Sequence, residues 1–260
     1  MGGQVRTEVE GGLGWLIFDH PERRNAISVD MWAAIPEAAR TLDRDPAVHV
    51  VLLRGAGDVA FVSGADISEF ESTRTGKAAE EYERLNGAAY AAVAEISKPV
   101  IAMIHGFCVG GGTGIALHAD LRYASDDAQF GVPAASLGLG YSVSGVETLV
   151  QLVGTSAAKE ILFTARRFSA DEALRMGLVN GVFPKDRLEQ QVRDSAERIA
   201  SNAPLTLRSV KTICRELARP HAERDEQVAW SSVQACLDSE DYREGIRAFL
   251  EKRRPDFRGR

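Results

Sequence analysis

The chain has 260 residues, 45% of them hydrophobic, and carries a formal net charge of −6 with a pI of about 5.5. A chain of this length buries roughly 70 to 75% of the surface that its unfolded form exposes, which is ample for one large domain. The acidic balance argues against general binding of nucleic acids or membrane surfaces, because both need a cationic field. The N-terminus lacks the apolar region of a signal peptide, and no run reaches membrane-spanning length. The cysteines are widely separated without CxxC spacing, which predicts neither disulfides nor a zinc site and fits a reducing, cytoplasmic location.

Strand-like segments dominate the first half of the chain and alternate with turns. They cover VRTEVE at residues 5–10, WLIFD at 15–19, VHVVLLRG at 48–55 and PVIAMIHG at 99–106, with shorter ones around LRYAS and AQFGV. Residues 78–97 predict an amphipathic helix that Pro99 halts. Its apolar residues recur three or four positions apart, at Tyr82, Leu85, Ala89, Ala92 and Ile96.

From about residue 155 the pattern becomes mainly helical. Ser169 and Glu172 have the spacing of a capping box, and the helix that they begin is expected to stop at Gly177. Asn202 is the expected N-cap of the next helix, and the last forty residues predict more helix ending in a basic cluster. A strand-rich core therefore precedes a helical C-terminal region.

The stretch HGFCVGGGTGIALHAD at residues 105–120 places three consecutive glycines between an apolar run and a predicted helix. It lacks the Lys-Ser or Lys-Thr ending of a phosphate loop, and Ile115 occupies the last glycine position of a dinucleotide fingerprint. One interpretation is tight packing of a strand against a helix. The other uses a helix that begins near Gly111, whose free N–H groups stabilise negative charge where no Cβ blocks the approach. That arrangement is an oxyanion hole.

A second donor for such a hole lies in FVSGADI at residues 61–67, where Ala65 offers a free backbone N–H. With HPERRNAIS, KPVIAMIHGFCVGGG, FTARRFSADEALRMGLVN and SEDYREGIRAFLEKRRPDF, these motifs resemble the crotonase, or enoyl-CoA hydratase/isomerase, superfamily. In that family the N–H groups at the positions of Ala65 and Gly111 bind the oxygen of an acyl-CoA thioester and stabilise an enolate. The resemblance implies an α/β fold, a spiral of ββα repeats over residues 1–195 followed by a helical region for trimerisation and CoA contact over 196–260. It also implies a homotrimer or a dimer of trimers.

The resemblance further implies the coenzyme contacts, with CoA as part of the substrate and no tightly bound cofactor. The implied contact residues are Arg24, Ala26, Ser63, Ala65, Asp66 and Ile67, together with Phe249 and Lys252 from a neighbouring subunit. An alternative for the basic residues is ordinary solvated surface. Asp66 is expected to fix its own loop by accepting backbone N–H bonds. His105 and His118 are expected to be hydrogen-bonded structural residues, since no ligand spacing supports a metal site.

The sequence departs from the hydratase pattern at both catalytic glutamates. Gly114 and Ala134 stand at their positions, so no obvious general base remains, and enoyl-CoA hydration becomes doubtful. Tyr141, in LGLGYSVSG, resembles a tyrosine of methylmalonyl-CoA decarboxylase, and loss of CO₂ from a malonyl-type thioester relies mainly on the oxyanion hole. Tyr141 either orients the substrate carboxylate or packs as an apolar ring. Glu147 is a substitute acid, and the alternatives are a hydratase with another acid or a non-catalytic acyl-CoA binder.

Overall fold

The computed structural model describes residues 2–66 and 76–260. Its strands are β1 (Gln4–Glu10), β2 (Leu13–Asp19), β3 (Val50–Gly55), β4 (Ala60–Val62), β5 (Val100–Ile104), β6 (Phe107–Val109), β7 (Leu121–Ser125), β8 (Gln129–Gly131), β9 (Phe168–Ser169) and β10 (Gly181–Phe183). Its α-helices are α1 (Val29–Arg44), α2 (Gly76–Glu95), α3 (Gly111–Leu117), α4 (Val143–Thr164), α5 (Ala170–Arg175), α6 (Lys185–Ala200), α7 (Pro204–Ala218), α8 (Glu226–Asp238) and α9 (Glu240–Glu251).

The strands within these ranges form two sheets. The larger sheet has the order β1-β2-β3-β5-β7-β10, and the smaller has the order β4-β6-β8-β9. Strands from β3 to β8 alternate between the two sheets, and neighbours within each sheet are parallel in this stretch. The chain therefore advances as a spiral of repeats, as the resemblance implied. Parallel strands covered on both faces need continuous apolar runs, which explains why VHVVLLRG and PVIAMIHG are so uniformly hydrophobic.

The predicted helix before β5 is α2, and its packing confirms most of the apolar stripe. Tyr82 and Ala89 are buried against the core, and Ile96 is buried just beyond the end of the helix. Leu85 and Ala92 lie at the edge of the same stripe and pack partly against it. The structure adds two buried residues to this face that the prediction omitted, Asn86 and Val93.

The helix ends follow the predicted chemistry at one site and not at another. Ser169 and Glu172 form the capping box at the start of α5. The prediction that Asn202 caps α7 is wrong: the N-cap position is Ala203, and Asn202 donates its side-chain amide to the carbonyl oxygen of Arg198 in α6. A side-chain cap is less needed there, because Pro204 at the first position of α7 has no N–H to satisfy.

Helical structure also begins earlier than the sequence pattern predicts. Helix α4 starts at Val143, with the hydroxyl of Ser142 as its N-cap, whereas the pattern indicated helix only from about residue 155. Gly154 interrupts this helix with φ of 76°, so the periodicity restarts just after it. The sequence pattern therefore revealed only the helical segment that follows the glycine kink, and not the one that precedes it.

The C-terminal helices leave large apolar side chains exposed. Trp230 in α8 and Phe249 and Leu250 in α9 are mostly exposed, in keeping with the trimerisation region of this fold. The proposed boundary at 195/196 falls inside α6, whose Leu188 and Val192 pack against the larger sheet. In the described ranges, no helix combines the length and hydrophobicity needed to cross a membrane.

Candidate active site

Two glycine turns meet at the carboxyl ends of β4 and β6. Gly64 follows β4 with φ of 121°, and Gly110 follows β6 with φ of 54°, values that side-chain-bearing residues rarely adopt. An ideal Cβ built on Gly110 would lie 3.8 Å from the Cα of Gly64, so the two turns are in close contact. Because β4 and β6 pair in parallel, their ends lie at the same edge of the smaller sheet.

Each turn presents one backbone amide next to the other. A Cβ on Gly111 would lie 3.9 Å from the amide nitrogen of Ala65, which places the two amides within reach of one small atom. Neither amide donates a hydrogen bond to any of the described residues. Gly111 is the first residue of α3, whose early N–H groups have no partner within the helix. The two amides therefore lie close together at the turns, and their use as an oxyanion hole stays a prediction.

The glycine triplet also satisfies the packing interpretation. A Cβ on Gly112 would collide with the carbonyl oxygen of Val62, so α3 approaches β4 more closely than any other residue at this position would allow. The two interpretations of the triplet apply to different residues of it. Gly112 permits the close packing that holds Gly111 beside Ala65.

A cavity of about 820 Å³, counting the space at its mouth, opens beside the two amides. Its walls are the two turns, the face of α2 that carries Glu83 and Asn86, and the loop from Val132 to Ser142. Among the described residues that line it, Glu83 is the only one with a carboxyl group, and none is a lysine or arginine.

Of the two positions at which the resemblance implies glutamates, one lies in the wall of this cavity. Ala134 lines the wall and is buried. A side chain on Gly114 would collide with the hydroxyl of Tyr90, which stacks on His118 with ring centroids 4.9 Å apart. Tyr90 therefore fills the space that a larger residue at 114 would need.

Tyr141 lines the cavity from the opposite loop and is half-buried. Burial raises the pKa of its hydroxyl to about 12, and the negative charge of Glu83 adds to the effect. The phenol therefore stays protonated at neutral pH and acts as a neutral hydrogen-bond donor.

The residues expected to contact CoA divide into two groups. The first group lies beside the Ala65 turn and consists of Arg24, Ala26, Ser63 and Asp66. The amide of Ser63 donates to the carbonyl of Arg24 at 3.1 Å, and Ile27 forms a β-bridge with Ala65. Phe249 is 83% exposed, Lys252 caps the C-terminus of α9, and neither lines the cavity. Their contact with CoA from a neighbouring subunit stays a prediction, and Ile67 lies outside the described residues.

Beside Arg24 the structure adds a cation that the sequence prediction omitted. The guanidinium groups of Arg24 and Arg167 lie 4.9 Å and 5.1 Å from the ring centroid of Phe107. Two exposed cations held on one aromatic ring form a local basic patch in an acidic protein. Such a patch suits the phosphates of a coenzyme.

The structure also bears on the predictions made for four further residues. His118 is structural, as predicted, and its Nδ1 lies 2.7 Å from the carbonyl oxygen of Gly114. His105 is buried, but its Nε2 has no hydrogen-bond partner, contrary to the prediction. Asp66 forms an ion pair with Arg23 at 2.7 Å, a partner that the sequence did not indicate. Glu147 is exposed and does not line the cavity, so it is not the substitute acid.

Comparison with known proteins shows the family of this chain. The family model described as "Enoyl-CoA hydratase/isomerase" matches residues 8–260. The chain belongs to the enoyl-CoA hydratase/isomerase family. The "Crotonyl-CoA hydratase" of Syntrophomonas wolfei is 36% identical over 253 residues, covering 97% of each chain. The peroxisomal "Delta(3,5)-Delta(2,4)-dienoyl-CoA isomerase" of Arabidopsis thaliana is 34% identical and covers 97% of this chain and 95% of its own.

Solved structures confirm the fold of this family member. A "putative enoyl-CoA hydratase/isomerase family protein" from Hyphomonas neptunium superposes with a TM-score of 0.93 and is 40% identical, with 98% of each chain covered. This similarity confirms the predicted α/β fold. The chain is thus a member of a family of enzymes that are named for reactions of CoA thioesters.

Sequence reasoning missed Glu83 and Asn86, which the fold brings to the wall of the cavity. The search for acids was confined to the two loops where other family members carry them. One signal was available: Asn86 is a polar residue next to Leu85 in the apolar stripe of α2. No motif marks Glu83, which is one of several glutamates on that helix.

Proposed function

We propose that this protein catalyses the reversible addition of water to a short enoyl-CoA. The thioester oxygen binds between the amides of Ala65 and Gly111, and Glu83 carries the proton. The observation on which this rests is the position of Glu83 in the wall of the same cavity, because it supplies the carboxylate that Gly114 and Ala134 lack. The names of similar proteins, among them a crotonyl-CoA hydratase and a short-chain-enoyl-CoA hydratase, support the same reaction.

The charge of the cavity favours an uncharged acyl group. Among the described lining residues there is no lysine or arginine, so the carboxylate of a malonyl group would have no cationic partner and would face Glu83. An enoyl group carries no such charge. Addition of water to it therefore fits this cavity better than decarboxylation does.

The proposed steps balance without another reactant. The oxygen of water bonds to C3 of the enoyl chain while the Glu83 carboxylate accepts one of the water protons. The C2=C3 electron pair moves toward the thioester oxygen, and the amides of Ala65 and Gly111 stabilise the enolate. C2 then takes the proton from Glu83, which restores the carboxylate and yields a 3-hydroxyacyl-CoA.

The direct test is the loss of the ultraviolet absorbance of the conjugated thioester when crotonyl-CoA is added. Glu83→Gln is expected to lower kcat by about 10²- to 10⁴-fold, the usual loss for a general base. Glu80→Gln is the matched control, since Glu80 is exposed on the same helix outside the cavity and its loss should leave kcat unchanged. Equal rates for Glu83→Gln and the wild type would remove Glu83 from the mechanism. Binding of crotonyl-CoA without turnover would instead indicate a non-catalytic acyl-CoA binder.

A second candidate is decarboxylation of a malonyl-type CoA, which the position of Tyr141 favours. Tyr141 lines the cavity with a protonated hydroxyl, which would donate to a substrate carboxylate, in keeping with the resemblance to methylmalonyl-CoA decarboxylase. Release of CO₂ from malonyl-CoA or methylmalonyl-CoA, sharply reduced in Tyr141→Phe, would support it. For hydration we expect Tyr141→Phe to change kcat by less than about tenfold, because the hydroxyl then bonds no reacting charge.

We also propose that the exposed apolar residues of α8 and α9 form the contact between subunits of a trimer. Such an assembly would bring Phe249 and Lys252 toward the CoA of a neighbour, as the resemblance implies. Exposed Trp230, Phe249 and Leu250 support the proposal, since large apolar patches on a soluble protein commonly mark interfaces. Sedimentation equilibrium of the wild type and Leu250→Glu would test it.

A further inference from the structure

Asn86 occupies an unusual position for its chemistry. It lies in the middle of the buried stripe of α2, between Tyr82 and Ala89, at spacings of four and three residues. Apolar residues fill such positions in an amphipathic helix. Asn86 is only 7% exposed, yet it lines the cavity beside the two oxyanion amides.

Among the residues that the structure describes, the carboxamide of Asn86 has no hydrogen-bond partner. Its Oδ1 is fully buried without a hydrogen bond, and none of the described residues bonds to either end of the amide. A buried, unpaired polar group destabilises the fold. Asn86 nevertheless lines the cavity, and a flip of its amide exchanges Oδ1 with Nδ2, so a molecule in the cavity is able to bond whichever end faces it.

We propose that Asn86 is a specificity residue that binds a hydroxyl group on the acyl chain of the substrate or product. This inference rests on the proposed use of the cavity for a CoA thioester. A hydroxyl donates to Oδ1 and also accepts from Nδ2, so it satisfies the amide in either orientation. A saturated apolar chain leaves the amide unpaired, and a carboxylate, which only accepts, leaves Oδ1 without a donor.

The neighbourhood of Asn86 agrees with this role. Glu83 lies one helical turn before Asn86 on the same wall, so a carboxylate and a carboxamide face the acyl group together. The amides of Ala65 and Gly111 line the same cavity and fix the thioester end. Asn86 is then placed to hold the hydroxyl that leaves or arrives as water, while Glu83 moves its proton.

The test compares the affinity of butyryl-CoA with that of 2-, 3- and 4-hydroxybutyryl-CoA by calorimetry. We expect at least one hydroxylated thioester to bind the wild type about tenfold more tightly than butyryl-CoA, because a site built for a hydroxyl rejects the analogue that lacks it. Asn86→Leu and Asn86→Ala should both lose this preference while still binding butyryl-CoA. Two replacements of different size separate loss of the amide from a change in shape.

The stability of the free protein gives a second, independent readout. Asn86→Leu should raise the melting temperature, because it removes an unpaired buried amide. A merely structural asparagine would instead make that variant less stable, and such a result would overturn the proposal. A wild type without preference for any hydroxylated thioester, or a preference that both variants keep, would also overturn it.

Failure of this inference is distinguishable from failure of the proposed function. Hydration of crotonyl-CoA without a hydroxyl preference would leave the reaction standing and remove the role of Asn86. A preference that depends on Asn86, in a protein that leaves crotonyl-CoA unchanged, would do the reverse.

Discussion

The two walls of the cavity are built from different parts of the chain. One wall uses the backbone amides of Ala65 and Gly111, which two tight glycine turns hold side by side. The other presents two side chains of α2, exposed Glu83 and buried Asn86. The position of the first wall depends on how β4, β6 and α3 pack together. The second wall consists of side chains on a regular helix.

This difference explains how the site is able to change during divergence within a family. The glycine wall tolerates little, since added side chains collide with Val62 or Tyr90. The helix wall accepts many residues without disturbing the backbone. A family that keeps the oxyanion amides and varies the facing side chains retains enolate stabilisation while its reactions diverge.

The largest effect should follow removal of an oxyanion amide. Gly111→Pro eliminates that N–H at a helix position where proline is otherwise tolerated, so kcat for the thioester reaction should fall about 10²- to 10³-fold. Steady-state kinetics with crotonyl-CoA would measure it. Gly111→Ala is the control: it keeps the amide, and its Cβ would lie 2.9 Å from a ring carbon of Trp32, so we expect a smaller loss. Similar losses in both variants would point to packing rather than to the amide.

A moderate effect should distinguish the glycines of the two walls. Gly114→Ala should destabilise the protein by about 1 to 3 kcal/mol, because the added Cβ collides with Tyr90. Gly87→Ala, in α2 with open space around it, should instead stabilise by roughly 0.5 to 1 kcal/mol. Denaturant unfolding of both variants measures the contrast. In a Tyr90→Leu background the cost of Gly114→Ala should shrink, and an unchanged cost would mean that Tyr90 is not the obstacle.

The smallest effect concerns pH at the junction of the two walls. Burial lowers the pKa of His118, which stacks on Tyr90, so the folded protein disfavours the imidazolium form. The unfolded chain then binds more protons below pH about 6.5, and the free energy of unfolding should decrease as pH falls through that range. His118→Gln should flatten this decrease, as measured by denaturant unfolding at several pH values. Burial also lowers the pKa of His105, so part of the decrease should remain in the His118→Gln variant.

Much of the candidate site could be predicted because several of its residues lie in short contiguous motifs. Gly110, Gly111 and Ala65 follow short apolar strands, and each lies where a glycine turn is needed for the backbone to approach its neighbour. The helix boundaries were less predictable. The glycine kink at Gly154 hid the start of α4, and Pro204 made a cap by Asn202 unnecessary.

By itself the sequence determined the glycine turns, the apolar strands and hence the family. A position without room for a Cβ accepts only glycine, and a strand that is buried on both faces requires apolar residues, so both features are visible in the sequence. Only the tertiary structure decided which carboxylate and which amide face the acyl group. On an amphipathic helix several polar residues have the same local pattern, and the packing of α2 against the core alone determines which of them line the cavity.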